Sequence, residues 1–223
     1  MNGKPLVDTT GYYVKQPNAL SDIGNISPKW IGGVNNTLRY KSIALNFLID
    51  IKKGGDVYDL DLDYAASAGL TPHTAGYNRN GKPVRSPLAD GGGYLMEGVT
   101  ADGKPNTKLV DASDINKKKF PFSSDNQEVA REYIFDAGYV KLREVAITWS
   151  VPSATLSKWH FVKGIDLSLT GRNLWIIHKN LPYADPEQGV PISGSYGSNA
   201  SQGFQSGSYP VFRTFGFNVR AKF

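Results

Sequence analysis

Two stretches of the chain, GYNRNGKP (residues 76–83) and GVTADGKP (98–105), reproduce the G-x-x-x-x-G-K spacing of a phosphate-cradling loop. The chemistry fails one position later. Pro83 and Pro105 stand where a Ser or Thr hydroxyl must reach magnesium, and neither stretch sits between a strand and a helix. With Asn2-Gly3-Lys4-Pro5 they form instead a thrice-used Asn/Asp-Gly-Lys-Pro unit. That reads as one reversal device, Gly supplying positive φ and Pro blocking helix beyond it. GGGYLMEG (91–98) lacks the setting of a dinucleotide site and reads as loop. His73, His160 and His178 lie far apart, none with a neighbour at metal-ligand spacing. The acidic run Asp56, Asp59, Asp61, Asp63 lacks the Gly and Glu of a calcium loop, so helix capping and solvated charge are the expectation. No nucleophile–base pair is legible. The sequence predicts a protein that is not an enzyme, with no catalytic residues, no metal site and no cofactor.

Composition narrows the class further. The 223 residues hold no cysteine, which excludes a disulfide framework and thiolate metal sites. The net charge of +5 is modest, and its one dense run, Lys117-Lys118-Lys119, lies in a polar loop, so no nucleic-acid partner is expected. No apolar run reaches the ~18 residues of a transmembrane helix. Residues 1–5 open as a turn rather than as a secretory leader, so an exported protein would have to extend beyond this chain.

What must position these residues is a set of alternating strands. Period-2 patterning covers 30–40, 43–52, 139–151, 161–174 and the last residues, RTFGFNVRAKF. In the second, Ile43, Leu45, Phe47, Ile49 and Ile51 oppose Ala44, Asn46, Asp50 and Lys52. In the third, the phase switches between Val140/Leu142 and Val145/Ile147/Trp149, which predicts a bulge near Arg143-Glu144. A short helix is expected over 60–68, with Asp59 or Asp61 as N-cap and Gly69 at C′.

Alternation fits both a two-sheet sandwich and a membrane barrel. The connections discriminate: only Lys41-Ser42 and residues 152–160 join two strand pairs, whereas 53–138 and 176–208 are long and rich in Gly, Pro, Asn, Asp and Ser. Short turns at one end and long loops at the other favour an up-and-down barrel. In hydrocarbon every backbone polar group needs a partner, so strands span membranes only in a closed sheet.

Several phrases resemble the carboxy-terminal part of SusC/RagA-type TonB-dependent outer-membrane transporters of the Bacteroidetes. They are IGNISPKWIGGVNNTLRYKSIALNFLIDIKKGGDVYD (23–59), YVKLREVAITWSVP (139–152), LSLTGRNLW (167–175), YADPE (183–187) and the final FGFNVRAKF. The resemblance implies an all-β, antiparallel, 22-strand barrel whose last five strands are here, residues 53–138 and 176–208 being extracellular loops. The plug domain and the segment that engages TonB would lie outside the chain. It further implies import of oligosaccharides or peptides across the outer membrane of a Gram-negative cell, beneath a SusD-like surface lipoprotein, with energy from the TonB complex. Phe215, Phe217, Val219 and Phe223 resemble the signal read by the barrel-assembly machinery, although Asn218 stands where the family has Gly. Trp149 and Trp175 suit the aromatic girdles at the bilayer boundaries. Tyr77, Tyr94, Tyr183, Tyr196 and Phe204, in the long loops, are candidate ligand or lid contacts. The rival is a secreted carbohydrate-binding β-sandwich, which requires the apolar faces to be buried between two sheets.

Overall fold

A computed structural model of the chain describes residues 3–14, 22–114, 121–122, 130–157, 159, 161–187, 203–207 and 211–223. Its strands and helices, in order, are β1 (Trp30–Tyr40), β2 (Ile43–Lys53), β3 (Asp56–Asp59), α1 (Leu60–Ser67), β4 (Tyr94–Leu95), β5 (Leu109–Val110), β6 (Ile134–Asp136), β7 (Tyr139–Ser150), α2 (Ser153–Leu156), β8 (Gly164–Lys179), β9 (Phe204–Gln205) and β10 (Thr214–Lys222). The chain divides into two compact units: residues 1–23 with 58–134, and residues 24–57 with 135–223.

The second unit is dominated by a five-stranded sheet in the order β1-β2-β7-β8-β10, every neighbour antiparallel. Sequence neighbours are spatial neighbours, so the sheet is an up-and-down meander with no crossover. Lys41, at φ 52°, makes the two-residue reversal between β1 and β2, and Pro152 leads into the single turn of α2 between β7 and β8. The register sorts side chains by chemistry. One face carries Val34, Leu38, Ile43, Ile147, Trp149, Leu169, Phe215, Phe217 and Val219, and each of these is exposed. Phe217 keeps 69% of its surface open and Leu169, its cross-strand partner, 56%. No second sheet covers this face among the described residues, so the sandwich requirement is not met.

The opposite face is a ladder of polar pairs. Asn46 Nδ2 donates to Thr37 Oγ1 at 2.8 Å, and Thr148 and Ser168 exchange a hydroxyl bond at 2.9 Å. Ser150 donates to Asp166 at 2.6 Å, and Arg172 Nε donates to Glu144 at 2.8 Å. Cross-strand pairs of this kind each stabilise a sheet by roughly 0.2–1 kcal/mol.

The expected bulge is present: the β2–β7 register slips between Leu48 and Ile49, where Arg143 is the unpaired extra residue. A matching slip in β8 centres on Asn173, which takes φ 52°. These slips explain why alternation alone ended the fourth strand at Leu174. The strand starts at Gly164 and continues through Trp175 to Lys179, so residues 176–179, expected in the loop, belong to the sheet. One extra residue flips the apolar phase, and a period-2 pattern read in one frame stops there.

The first unit has an ordinary interior. Ala66, Val84, Ala112, Phe122 and Tyr133 form one buried cluster, and Val7, Met96 and Val110 another. Helix α1 begins where Asp59 Oδ1 accepts from Leu62 N at 2.9 Å. It ends in paired bonds from Gly69 N to Ala66 O and Leu70 N to Ala65 O, with Gly69 at φ 71°. That is the reciprocal closure a left-handed glycine permits. Gly3, Gly81 and Gly103 all take positive φ in the three repeated turns, as the reversal reading requires. The turns organise the unit: Val7 N donates to Val99 O, Val99 N to Pro5 O, and Thr100 N to Lys104 O.

Candidate functional site

In the sheet unit the charged residues that alternation places opposite the apolar face converge at one end of β2, β7 and β8. Lys141 is only 4% exposed, which demands partners, because an unpaired buried ammonium is costly. They come from the YADPE segment that follows β8. Lys141 Nζ donates to Asp185 Oδ1 and Glu187 Oε2, each at 2.5 Å. Arg143, pushed out by the bulge, reaches Asp50 Oδ2 through Nε (2.8 Å) and Nη2 (2.6 Å), and also pairs with Glu187. The Tyr139 hydroxyl donates to Glu187 Oε1 at 2.7 Å and lies 3.2 Å from Asp50 Oδ2. Two cations, three carboxylates and a phenol thus share one network, and the bulge is what brings Arg143 into it.

Burial alone would raise the Glu187 carboxyl above its ordinary value. Hydrogen bonds from Arg143, Lys141 and Tyr139 together outweigh burial and hold it down at about 2. The group is therefore ionised throughout the physiological range.

The network fastens the 180–187 segment. Lys179 Nζ donates to Ala184 O at 2.7 Å, and Leu181, 1% exposed, packs with Val57 and Ala137. Between these anchors Tyr183 takes φ 58° and leaves 76% of its surface open. A clamp of buried charge therefore presents one aromatic ring to solvent. Every acid and base in the network already has an opposite charge within bonding distance, so the geometry suits positioning rather than proton transfer.

The remaining candidates are dispersed. Tyr77 is 76% exposed beside the reversal at Pro83. Tyr94 packs against Phe122 with ring centroids 4.5 Å apart, joining the two clusters of the first unit. Phe204 lies in β9, and Tyr196 falls outside the described residues, as do His160 and Lys117-Lys118-Lys119. His73 stacks edge-on to Phe122 at 5.3 Å, and burial lowers its pKa. Asp56 accepts from Asn25 N, Asp59 caps α1, and Asp63 accepts from the Tyr58 hydroxyl, so this acidic run is spent on structure. Trp149 and Trp175 are both exposed on the apolar face, at opposite ends of the sheet, since Trp149 pairs with Ile43 and Trp175 with Leu142. Phe215, Phe217 and Val219 line β10 on that same face, with Phe223 just beyond it. The ion network itself was not legible as a site. Its members are 137 positions apart at the extreme, Asp50 to Glu187, and only Lys141 and Arg143 flanking the phase switch hinted at it.

Comparison with known proteins agrees with this architecture. No family model matches the chain. It is 26% identical over 202 residues to TonB-dependent receptor P3 of Formosa agariphila, a match covering 90% of the chain and 17% of the relative. TonB-dependent receptor P26 of the same organism is 26% identical over 199 residues, covering 88% of the chain and 17% of the relative. Among solved structures, the RagAB peptide importer in its "open-open" state superposes with TM-score 0.53 at 14% identity, over 98% of this chain and 20% of that one. The "closed-closed" state gives 0.51 at 16% identity, over 96% and 20%. The structural matches concern the fold. The chain spans about one sixth of the curated relatives it matches. Sequence and fold together support a fragment-length match to SusC/RagA-type TonB-dependent transporters.

Proposed function

We propose that this chain, a fragment-length relative of the SusC/RagA-type TonB-dependent transporters, forms part of the barrel wall and outer vestibule of an outer-membrane importer. One observation carries the reading: a single meandering sheet exposes its apolar side chains on one face and pairs its polar ones on the other. A protein in water is expected to cover such an apolar face; a bilayer covers it without a second sheet. Trp149 and Trp175 would then stand at the two boundaries of the hydrocarbon. From Trp149 to Leu142, the partner of Trp175, the strand advances roughly 20 Å at ~3.3 Å per residue. At the ~35–45° tilt of such barrels the run covers roughly 15 Å of the membrane normal, which leaves each ring within about 5 Å of an edge of the ~25 Å apolar band.

The free edges of β1 and β10 present unpaired backbone groups among the described residues, and in hydrocarbon these must pair with further strands of the same barrel. Such closure, toward a 22-strand cylinder assembled by the barrel-assembly machinery through the β10 aromatics, belongs to this proposal. So do a plug, a TonB contact and a SusD-like lipoprotein over the outer loops. The transported solute would be an oligosaccharide or a peptide, which an exposed ring such as Tyr183 or Tyr77 suits by stacking. Tyr94 serves packing and is not assigned to the solute. Residues 53–138 and 180–208 would face the cell exterior.

The chain itself contributes no cysteine to compete for a thiol probe. Phe217→Cys and Asn218→Cys are made separately in the intact outer-membrane protein and treated with a water-soluble maleimide. Asn218→Cys should label in cells, whereas Phe217→Cys should label only after detergent extraction. Equal labelling of both in cells would remove hydrocarbon from the apolar face and end the proposal.

A further inference from the structure

At the end of the sheet opposite the Lys41 turn, the apolar face closes on a hollow of about 210 Å³ lined by residues of the sheet unit alone. Its floor follows the register: Ile51 pairs with Val140, and Val140 with His178. Its upper rim is the next row, where Trp30 pairs with Lys53, and Asn180 and Asp136 complete the wall. Gly32 gives the indole room: a Cβ there would meet Trp30 Cζ3 at 3.2 Å, and the ring would have to give by a few tenths of an ångström.

The composition of this hollow differs from the band below it. An aromatic plate 48% exposed stands beside a carboxamide, an imidazole and a carboxylate. His178 Nε2 and Asn180 Oδ1 are 3.0 Å apart, and Asp136 Oδ1 accepts from Gly138 N at 2.6 Å. A flat ring with convergent donors and acceptors is the chemistry that holds a sugar: apolar C–H faces stack on the indole while hydroxyls bond to the amide, imidazole and carboxylate. Lys52 and Lys53 both line the hollow against the single carboxylate of Asp136, so its charge admits a neutral sugar or one carrying an acidic substituent. The volume falls below the ~300–1,000 Å³ of whole-ligand pockets, which matches one ring rather than an oligomer. The floor then runs without a break into Ile51, Val140 and the exposed apolar band, the path an acyl chain would take.

We propose that this hollow seats the saccharide headgroup of a glycolipid in the outer leaflet, distinct from any solute the barrel would carry on its polar side. The inference rests on the lipid-facing reading above.

The test uses the intact outer-membrane protein in micelles of a polyoxyethylene detergent, with Trp30→Phe as the control whose subtracted emission isolates the Trp30 signal. Dodecyl maltoside is the probe. It should shift Trp30 emission saturably, and His178→Ala with Asn180→Ala should weaken that response at least fivefold. An emission that tracks total dodecyl chains regardless of headgroup would overturn the inference, as would an equal response to free maltose, which would mark a soluble-sugar site. Should the Trp30→Phe control misfold, native mass spectrometry of the unaltered protein replaces it. There one retained glycoside adduct, lost in the double variant, supports the inference, and no retained adduct overturns it. Quenching of Trp149 and Trp175 by brominated acyl chains separates the two levels. Unquenched rings would sink the lipid-facing reading, whereas quenched rings with an indifferent Trp30 would sink only the glycolipid site.

Discussion

The two units of this chain solve opposite solvent problems. The loop unit buries Phe122, Met96 and Val110 and leaves Lys4, Lys82 and Lys104 at its turn tips, as a protein in water does. The sheet unit reverses this: Phe217, Leu169 and Leu38 are open, while Lys141 and Tyr139 are buried. The contrast teaches that apolar content alone does not say where a chain's interior is. In the loop unit, irregular segments must make their own core, since turns leave no repeating face. In the sheet unit, a fixed two-residue repeat hands all apolar groups to one side, and only the surroundings decide whether that side is inside.

The sharpest way to break the comparison is to remove one large ring from each unit. Phe122→Ala empties a fully buried site and should cost about 3–5 kcal/mol. Phe217→Ala, in the intact protein in micelles, should cost less, about 1–2 kcal/mol, because it forfeits transfer of the ring into the apolar phase but leaves no cavity. Hydrogen exchange read unit by unit checks both, and similar losses would erase the distinction.

The charge clamp comes next. Lys141→Ala strands Asp185 and Glu187 at a partly buried site, and breaking a buried pair costs up to about 3–5 kcal/mol. The loss should appear as faster proteolysis across residues 180–187 with the five-stranded sheet intact. Acid should loosen the same segment. Glu187 titrates near 2 when folded and near 4.5 when free. Its contribution is complete above about pH 4.5 and disappears progressively as pH falls toward 2. Glu187→Gln should abolish this acid-induced loosening, and an unchanged acid profile would exclude Glu187 as its cause.

Asp59→Ala removes the side-chain acceptor of α1 and should cost about 1 kcal/mol, confined to the loop unit. The smallest effect expected is on function: Tyr183→Ala should weaken solute binding by about tenfold or less, in keeping with ~0.5–1.5 kcal/mol for one aromatic contact. Because the ring is exposed, stability should not change. A loss of stability would make Tyr183 a structural residue instead.

Much of this was readable in the residues. Alternation located β1 and β2 almost to the residue, because β1 and β2 keep one frame from end to end. The phase switch in YVKLREVAI announced the bulge, and Asp59 and Gly69 announced both ends of α1, since caps are local chemistry. The continuation of β8 to Lys179 was hidden, because Asn173 and a second slip beyond it reset the frame twice. The compact interior of the first unit, residues 1–23 with 58–134, was hidden as well. Its contacts, such as Val7 with Met96 and Val110, join residues with no shared period.

The sequence by itself determined the strands, their two chemically distinct faces, the turns and the caps, because each depends on neighbours a few bonds away. Only the tertiary structure decided which charges meet. The Lys141–Glu187 and Arg143–Asp50 pairs join positions on different segments, and no periodicity records a distance that exists only after β2, β7 and β8 align. The same holds for the hollow beneath Trp30, whose lining is assembled by cross-strand register rather than by any run of residues.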